Sequence, residues 1–152
     1  MIQRIQTVYL LLAAILMFAC ACLPIGTFAP KNIGADIQMY NICIIHGDSG
    51  AWDYTTIGLA GLLAAGFITS VFNIFGYKNR KAQSRKCLIA IILMLLWVGL
   101  YAALIHLISG DAYNFTFSYT ALLPIASIIM LFLARKGIIH DEKLIKSIDR
   151  IR

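Results

Sequence analysis

Five side chains suited to a divalent metal, His46, Asp48, Asp53, His106 and Asp111, lie in or beside the segments that separate the apolar runs of this sequence. Imidazole nitrogen combined with carboxylate oxygen is a workable zinc donor set. No two of them stand at the spacing of a metal motif, however, and acids in connecting segments are ordinarily just solvated. No metal ligand and no cofactor is therefore assigned. His106 reads as an interfacial imidazole bonded to loop backbone. Among the cysteines, Cys20 and Cys22 sit two apart on a helix and point to different sides. Cys43 would lie outside the bilayer, where an oxidising compartment would permit a bridge to Cys20 or Cys22. Cys87 reads as a packed free thiol. There is no Ser-His-Asp order, no glycine-rich phosphate loop and no H-E-x-x-H. With no hydroxyl paired to a base, the chain is expected to be non-enzymatic, with no catalytic residue.

The elements that carry these residues are apolar. The chain has 152 residues, 61% of them hydrophobic and 13% charged, against roughly 25% charged in a soluble domain. Four runs without Lys, Arg, Asp or Glu, Thr7–Phe28, Thr55–Tyr77, Cys87–Ser109 and Phe115–Ala134, each have the length of about 20 residues that crosses a bilayer. Their polar content is sparse: Thr69, Ser70, Asn73, Thr116, Ser118, Thr120 and Ser127 are the main groups from which a solute path could be built. Proton and ion pathways need titratable groups inside the membrane, and only His106, near one end, qualifies.

Charge orients the runs, because short loops rich in Lys and Arg stay on the cytoplasmic side. Placing Arg4, the cluster Lys78, Arg80, Lys81, Arg85 and Lys86, and the tail bases from Arg135 and Lys136 onward on one side collects all but Lys31 of the 13 basic residues. Both termini and the middle loop are thus expected in the cytosol, with these bases as topology determinants that also touch anionic headgroups. The net charge of +6 is accounted for by the membrane, and nucleic acid is not an expected partner. Arg4, the first apolar run and Ala19–Ala21 mimic a cleavable secretory signal, but hydrophobicity continues through Leu23, Ile25 and Phe28, so the segment reads as a retained first span.

Short connections imply an all-α membrane protein, an antiparallel four-helix bundle. Residues 1–136 form the membrane domain. Its outer loop, 29–54, holds the β-favouring run Asp36–His46 and the turn Gly47–Gly50, read as a small extracytoplasmic hairpin. Trp52 and Tyr54 are expected where the chain re-enters the membrane, with Tyr113, Phe115, Phe117 and Tyr119 as a comparable belt before the last span. Pro24 and Pro124 are expected to perturb their helices. Small residues let membrane helices approach, so the stripe Gly58, Gly61, Ala65 and Thr69 is expected against another helix of the chain or of a partner. Residues 137–152 form a separate cytosolic helix, begun after a cap at Gly137. Leu144, Ile145, Ile148 and Ile151 share one face of it, to rest on lipid or on protein.

The opening "MIQRIQTVYLLL" and the closing "DEKLIKSIDRIR", set around four apolar runs, resemble a bacterial family of small inner-membrane proteins classed as a domain of unknown function. The resemblance implies four helices and an inner-membrane location, and brings no activity, cofactor or site residue. The expectation is an accessory or assembly component that contacts lipid, another integral membrane protein or a second copy of itself. A small channel or permease for a neutral solute is the alternative.

Overall fold

The computed structural model describes residues 2–31, 33–76, 80–109 and 113–149, and of residues 2–4 and 145–149 the backbone course alone. Four helices dominate: α1 (Ile2–Cys22), α2 (Ile57–Phe75), α3 (Arg80–Ser109) and α4 (Leu123–Asp149). All four are long and apolar enough to cross a membrane. They pack in a ring, α1 on α2, α2 on α3, α3 on α4 and α4 on α1, so chain neighbours are antiparallel space neighbours.

A strict alternation of three and four residues selects the inward face of every helix. It runs Gln6, Leu10, Ala13, Met17 and Cys20 on α1, and Leu59, Leu63, Gly66, Ser70 and Asn73 on α2. On α3 it runs from Gln83 through Cys87, Ala90, Met94, Trp97 and Tyr101 to Leu104, and on α4 from Ser127 through Leu131, Ala134 and Ile138 to Asp141. A mean spacing of 3.5 residues keeps such a seam facing its neighbours in left-handed packing with helices crossing at about 20°. Large apolar side chains such as Phe18, Phe72, Leu95 and Ile129 cover the outside, as lipid requires and water would not. At mid-bundle, Gly66 leaves room for two methionines: a Cβ there would lie 2.5 Å from Met94 Cε and 3.5 Å from Met17 Sδ.

The expected hairpin is instead a five-stranded antiparallel sheet across one end of the bundle. Its strands are β1 (Gly26–Pro30), β2 (Ile37–Met39), β3 (Ile44–His46), β4 (Trp52–Asp53) and β5 (Tyr113–Phe117), ordered β4-β3-β2-β1-β5. The turn after β3 is where the sequence puts it, with Gly50 at φ +63° donating its N–H to His46 O at 2.8 Å. β1 and β5 correct the span boundaries. The first helix stops at Cys22 rather than Phe28, and the fourth begins at Leu123 rather than Phe115, because Gly26–Pro30 pairs with Tyr113–Phe117 from Gly26↔Phe117 to Pro30↔Tyr113.

Both prolines escape the helix interiors expected of them. Pro24 follows the end of α1, and Pro124 is the second residue of α4, where a missing N–H goes unneeded. The Ser127 hydroxyl donates to Pro124 O at 2.7 Å. The basic stretch from Arg80 to Lys86 is not a loop but the first turns of α3. Nor does Gly137 end a helix: α4 passes through it to Asp149, so the tail prolongs the fourth helix. Glycine in a helix costs only about 1 kcal/mol, and here Gln6 occupies the space, its Cγ 3.0 Å from where a Cβ would stand.

Candidate functional site

Buried polar side chains gather at the two ends of the bundle. At the sheet end, Asn41, between β2 and β3, is wholly buried. Its Nδ2 donates to Cys20 O at 2.7 Å, and its Oδ1 accepts from Trp97 Nε1 at 3.0 Å. Its backbone oxygen accepts from Ala60 N at 3.2 Å. The last carbonyls and first N–H groups of a helix have no partner inside it, so one asparagine serves the end of α1 and the start of α2 while holding α3. Tyr101 stacks on Trp97, centroids 5.1 Å apart, and donates its hydroxyl to Ile25 O at 2.6 Å. Phe115 and Phe28 complete this aromatic floor, 5.0 Å apart.

At the opposite end every helix contributes a polar group. Gln6 Nε2 of α1 donates to Asp141 Oδ2 of α4 at 2.6 Å, and Arg80 Nη1 of α3 stands 3.4 Å from the same oxygen. Asn73 of α2 donates to Gln83 O at 3.2 Å and to Cys87 Sγ at 3.0 Å, while Gln83 Nε2 returns a bond to Asn73 O at 3.3 Å. Asp141 is only 6% exposed, and Arg80 at 25% keeps contact with solvent. Beside this layer a groove of about 550 Å³ opens between Tyr9 of α1 and the stretch Phe132–Lys143 of α4, lined by Arg135, Lys136, His140 and Lys143. Arg135 Nε is buried with no hydrogen-bond partner among the described residues.

The metal candidates do not converge. Among the described residues no three of His, Cys, Asp and Glu are grouped to hold an ion. Asp48 Oδ1 accepts from Ala35 N at 2.9 Å. Asp53 accepts from Thr55 N at 3.1 Å and Thr55 Oγ1 at 2.6 Å, capping the 3-10 turn Tyr54–Thr56; these bonds hold its carboxyl below the usual carboxylate range. His106 is exposed, and Asp111 lies outside the described residues. All four thiols are free, with Cys20, Cys43 and Cys87 buried.

The small-residue stripe is rotated from the packed face. Gly58 and Gly61 are exposed, while Ala65 and Thr69 are half-buried. A Cβ on Gly58 would come within 3.3 Å of Leu100 Cδ2, and one on Gly61 would meet nothing within 4 Å. The close approach falls on Gly66 instead. Of the tail face, Leu144 is exposed; Ile151 and the side chains of Ile145 and Ile148 lie outside the described residues. Of the topology bases, Arg80, Lys81, Arg85, Lys86, Arg135 and Lys136 share the end opposite the sheet, and Lys78 and the side chain of Arg4 lie outside the described residues.

Neither polar cluster was apparent as such in the sequence. Gln6, Gln83 and Asp141 do stand on the same three-and-four register as the apolar seam, which is the signal that places them inward. Asn41 carries no comparable mark, since its three partners are distant in sequence.

The family model described as a domain of unknown function, DUF4293, matches residues 2–151. No curated protein matches the chain.

Proposed function

The chain belongs to the DUF4293 family, which is defined without an assigned role, so function is argued from the chain's own geometry: we propose a non-enzymatic accessory or assembly component of the bacterial inner membrane, with both termini in the cytosol. The observation that carries this is closure of the bundle at both ends. Asn41 and the aromatic floor seal one end, Gln6, Arg80 and Asp141 tie the other, and Leu10, Met17, Leu63, Met94 and Leu131 fill the space between.

Most of the polar groups that could have lined a path are used locally, although Asn73 Oδ1 is buried without a hydrogen-bond partner among the described residues. Thr69 and Ser70 donate to the carbonyls of Ala65 and Gly66, Ser127 to that of Pro124, and Ser118 pairs with Thr120 at 3.0 Å. Thr116 lies in β5, and Asn73 is engaged with Gln83. A bundle with so apolar a centre supports work done through its outer faces and basic end, on lipid or on neighbouring membrane proteins.

The test is purification from membranes in a mild detergent, with cross-linking mass spectrometry. A stoichiometric integral-membrane companion is the expected result. A chain that purifies alone and passes a neutral solute across liposomes would sink the proposal and favour a small channel or permease, with an oligomer supplying the path.

A further inference from the structure

We propose that the groove between α1 and the second half of α4 binds the phosphate headgroup of an anionic phospholipid. This deepens the accessory role by naming a lipid, and it rests on the membrane placement of the helices.

Depth, sign and shape agree. The charge-free part of α4 ends at Ala134, so Arg135 and Lys136 stand where hydrocarbon gives way to headgroups. The groove continues through the next two turns to His140 and Lys143, and its lining includes no acid. Guanidinium and ammonium groups converging on one concavity match a phosphodiester. They oppose the ammonium of a zwitterionic headgroup, and so select a net negative lipid. Arg135 lines the same groove and adds a second fixed positive charge beside Lys136. Phe132 and Leu133, both exposed, give the acyl chains an apolar track below the cations. The volume of about 550 Å³ lies within the roughly 300–1,000 Å³ of small-molecule sites.

The full chain in nanodiscs of phosphatidylcholine with a minority of phosphatidylglycerol provides the test, read by native mass spectrometry of the lipid that stays bound. Phosphatidylglycerol should be retained in preference. The double variant Lys136→Gln, Lys143→Gln changes exposed residues and should lower that retention about fivefold per charge removed. Lys81→Gln with Arg85→Gln, at the same end but outside the groove, should leave it unchanged, and millimolar inorganic phosphate should not displace the lipid. Equal loss in both double variants would reduce the effect to diffuse attraction by the basic rim and overturn the site. So would retention without preference for the anionic lipid, and displacement by inorganic phosphate would reassign the groove to a free anion. A chain that purified alone and passed a neutral solute would defeat the accessory role and leave this measurement intact.

Discussion

Asn41 joins three elements through one side chain and one carbonyl. Replacing it with Leu keeps much of the volume but leaves Cys20 O and Trp97 Nε1 without their partners. A buried group left unsatisfied costs about 1–3 kcal/mol, whereas hydrogen bonds between membrane helices average about 0.6 kcal/mol. With two groups orphaned at the bundle's end, a loss of about 2 kcal/mol is expected for Asn41→Leu, read as a lower thermal midpoint in detergent. Trp97→Phe removes the same bond, leaving Asn41 Oδ1 unpaired, together with part of a wholly buried ring, and should cost a comparable amount. Because both substitutions break the same bond, the double variant should fall short of their sum; full additivity would show that the bond contributes nothing.

Asp53 offers a smaller effect of known sign. Its folded-state pKa is depressed, first by the Thr55 hydroxyl and then by the Thr55 N–H. Its contribution to the cap is therefore present above the ordinary carboxylate value and lost as pH falls through the lower folded value. An NMR titration in micelles should place the Asp53 carboxyl midpoint below the reference of 3.8. Thr55→Val should move it back up, and an unmoved midpoint would remove the hydroxyl as its cause.

Among the elements, Gly137 is the position where α1 and α4 set each other's spacing. An alanine Cβ would stand 3.0 Å from Gln6 Cγ and 3.4 Å from Gln6 Nε2. Gln6 can yield by that small amount, and the gain in helix propensity of about 1 kcal/mol offsets it, so Gly137→Ala should be close to neutral. Gly137→Val adds branched methyls against the glutamine that holds Asp141, and overpacking of this kind costs about 1–3 kcal/mol. Detergent melts of the two variants should separate clearly; coincident curves would mean that the helices have slack here.

Gly137 also illustrates what local sequence leaves undecided. A glycine followed by acids looks like a stop and a new start, yet the apolar register continues from Ala134 through Ile138 to Asp141, and packing on α1 carries the helix onward. Hydropathy located all four spans and misplaced two ends. Gly26-Thr27-Phe28 and Phe115-Thr116-Phe117 are as free of charge as a helix, and their pairing joins residues some ninety positions apart. Tyr113, Phe115 and Phe117 stand two apart, the strand period, but as aromatics before an apolar run they read as an interfacial belt, and their partner strand is distant in sequence. The candidate site was legible by half: its bases stand out in composition, whereas Asp141, Gln6 and Arg80 come together only through the bundle.

At the scale of the whole molecule, the ring of helices puts the sheet at one end and, at the other, the last turn of α2 with the basic turns of α3 and the second half of α4. Arg80, Lys81, Arg85, Lys86, Arg135, Lys136 and Lys143 crowd that second end, while the sheet end carries Lys31 with Asp36, Asp48 and Asp53. In the orientation proposed above, with basic short segments retained in the cytosol, the sheet would lie outside, and cysteine accessibility checks it. In a chain carrying Cys22→Ser, which removes the one exposed native thiol, Ser49→Cys marks the turn between β3 and β4, and Lys81→Cys marks the start of α3; both positions are exposed. A membrane-impermeant maleimide added to intact spheroplasts should modify the first and reach the second only after lysis. The reverse order would turn the molecule over, placing the basic groove on the outer leaflet, where retention of positive charge could no longer account for its position.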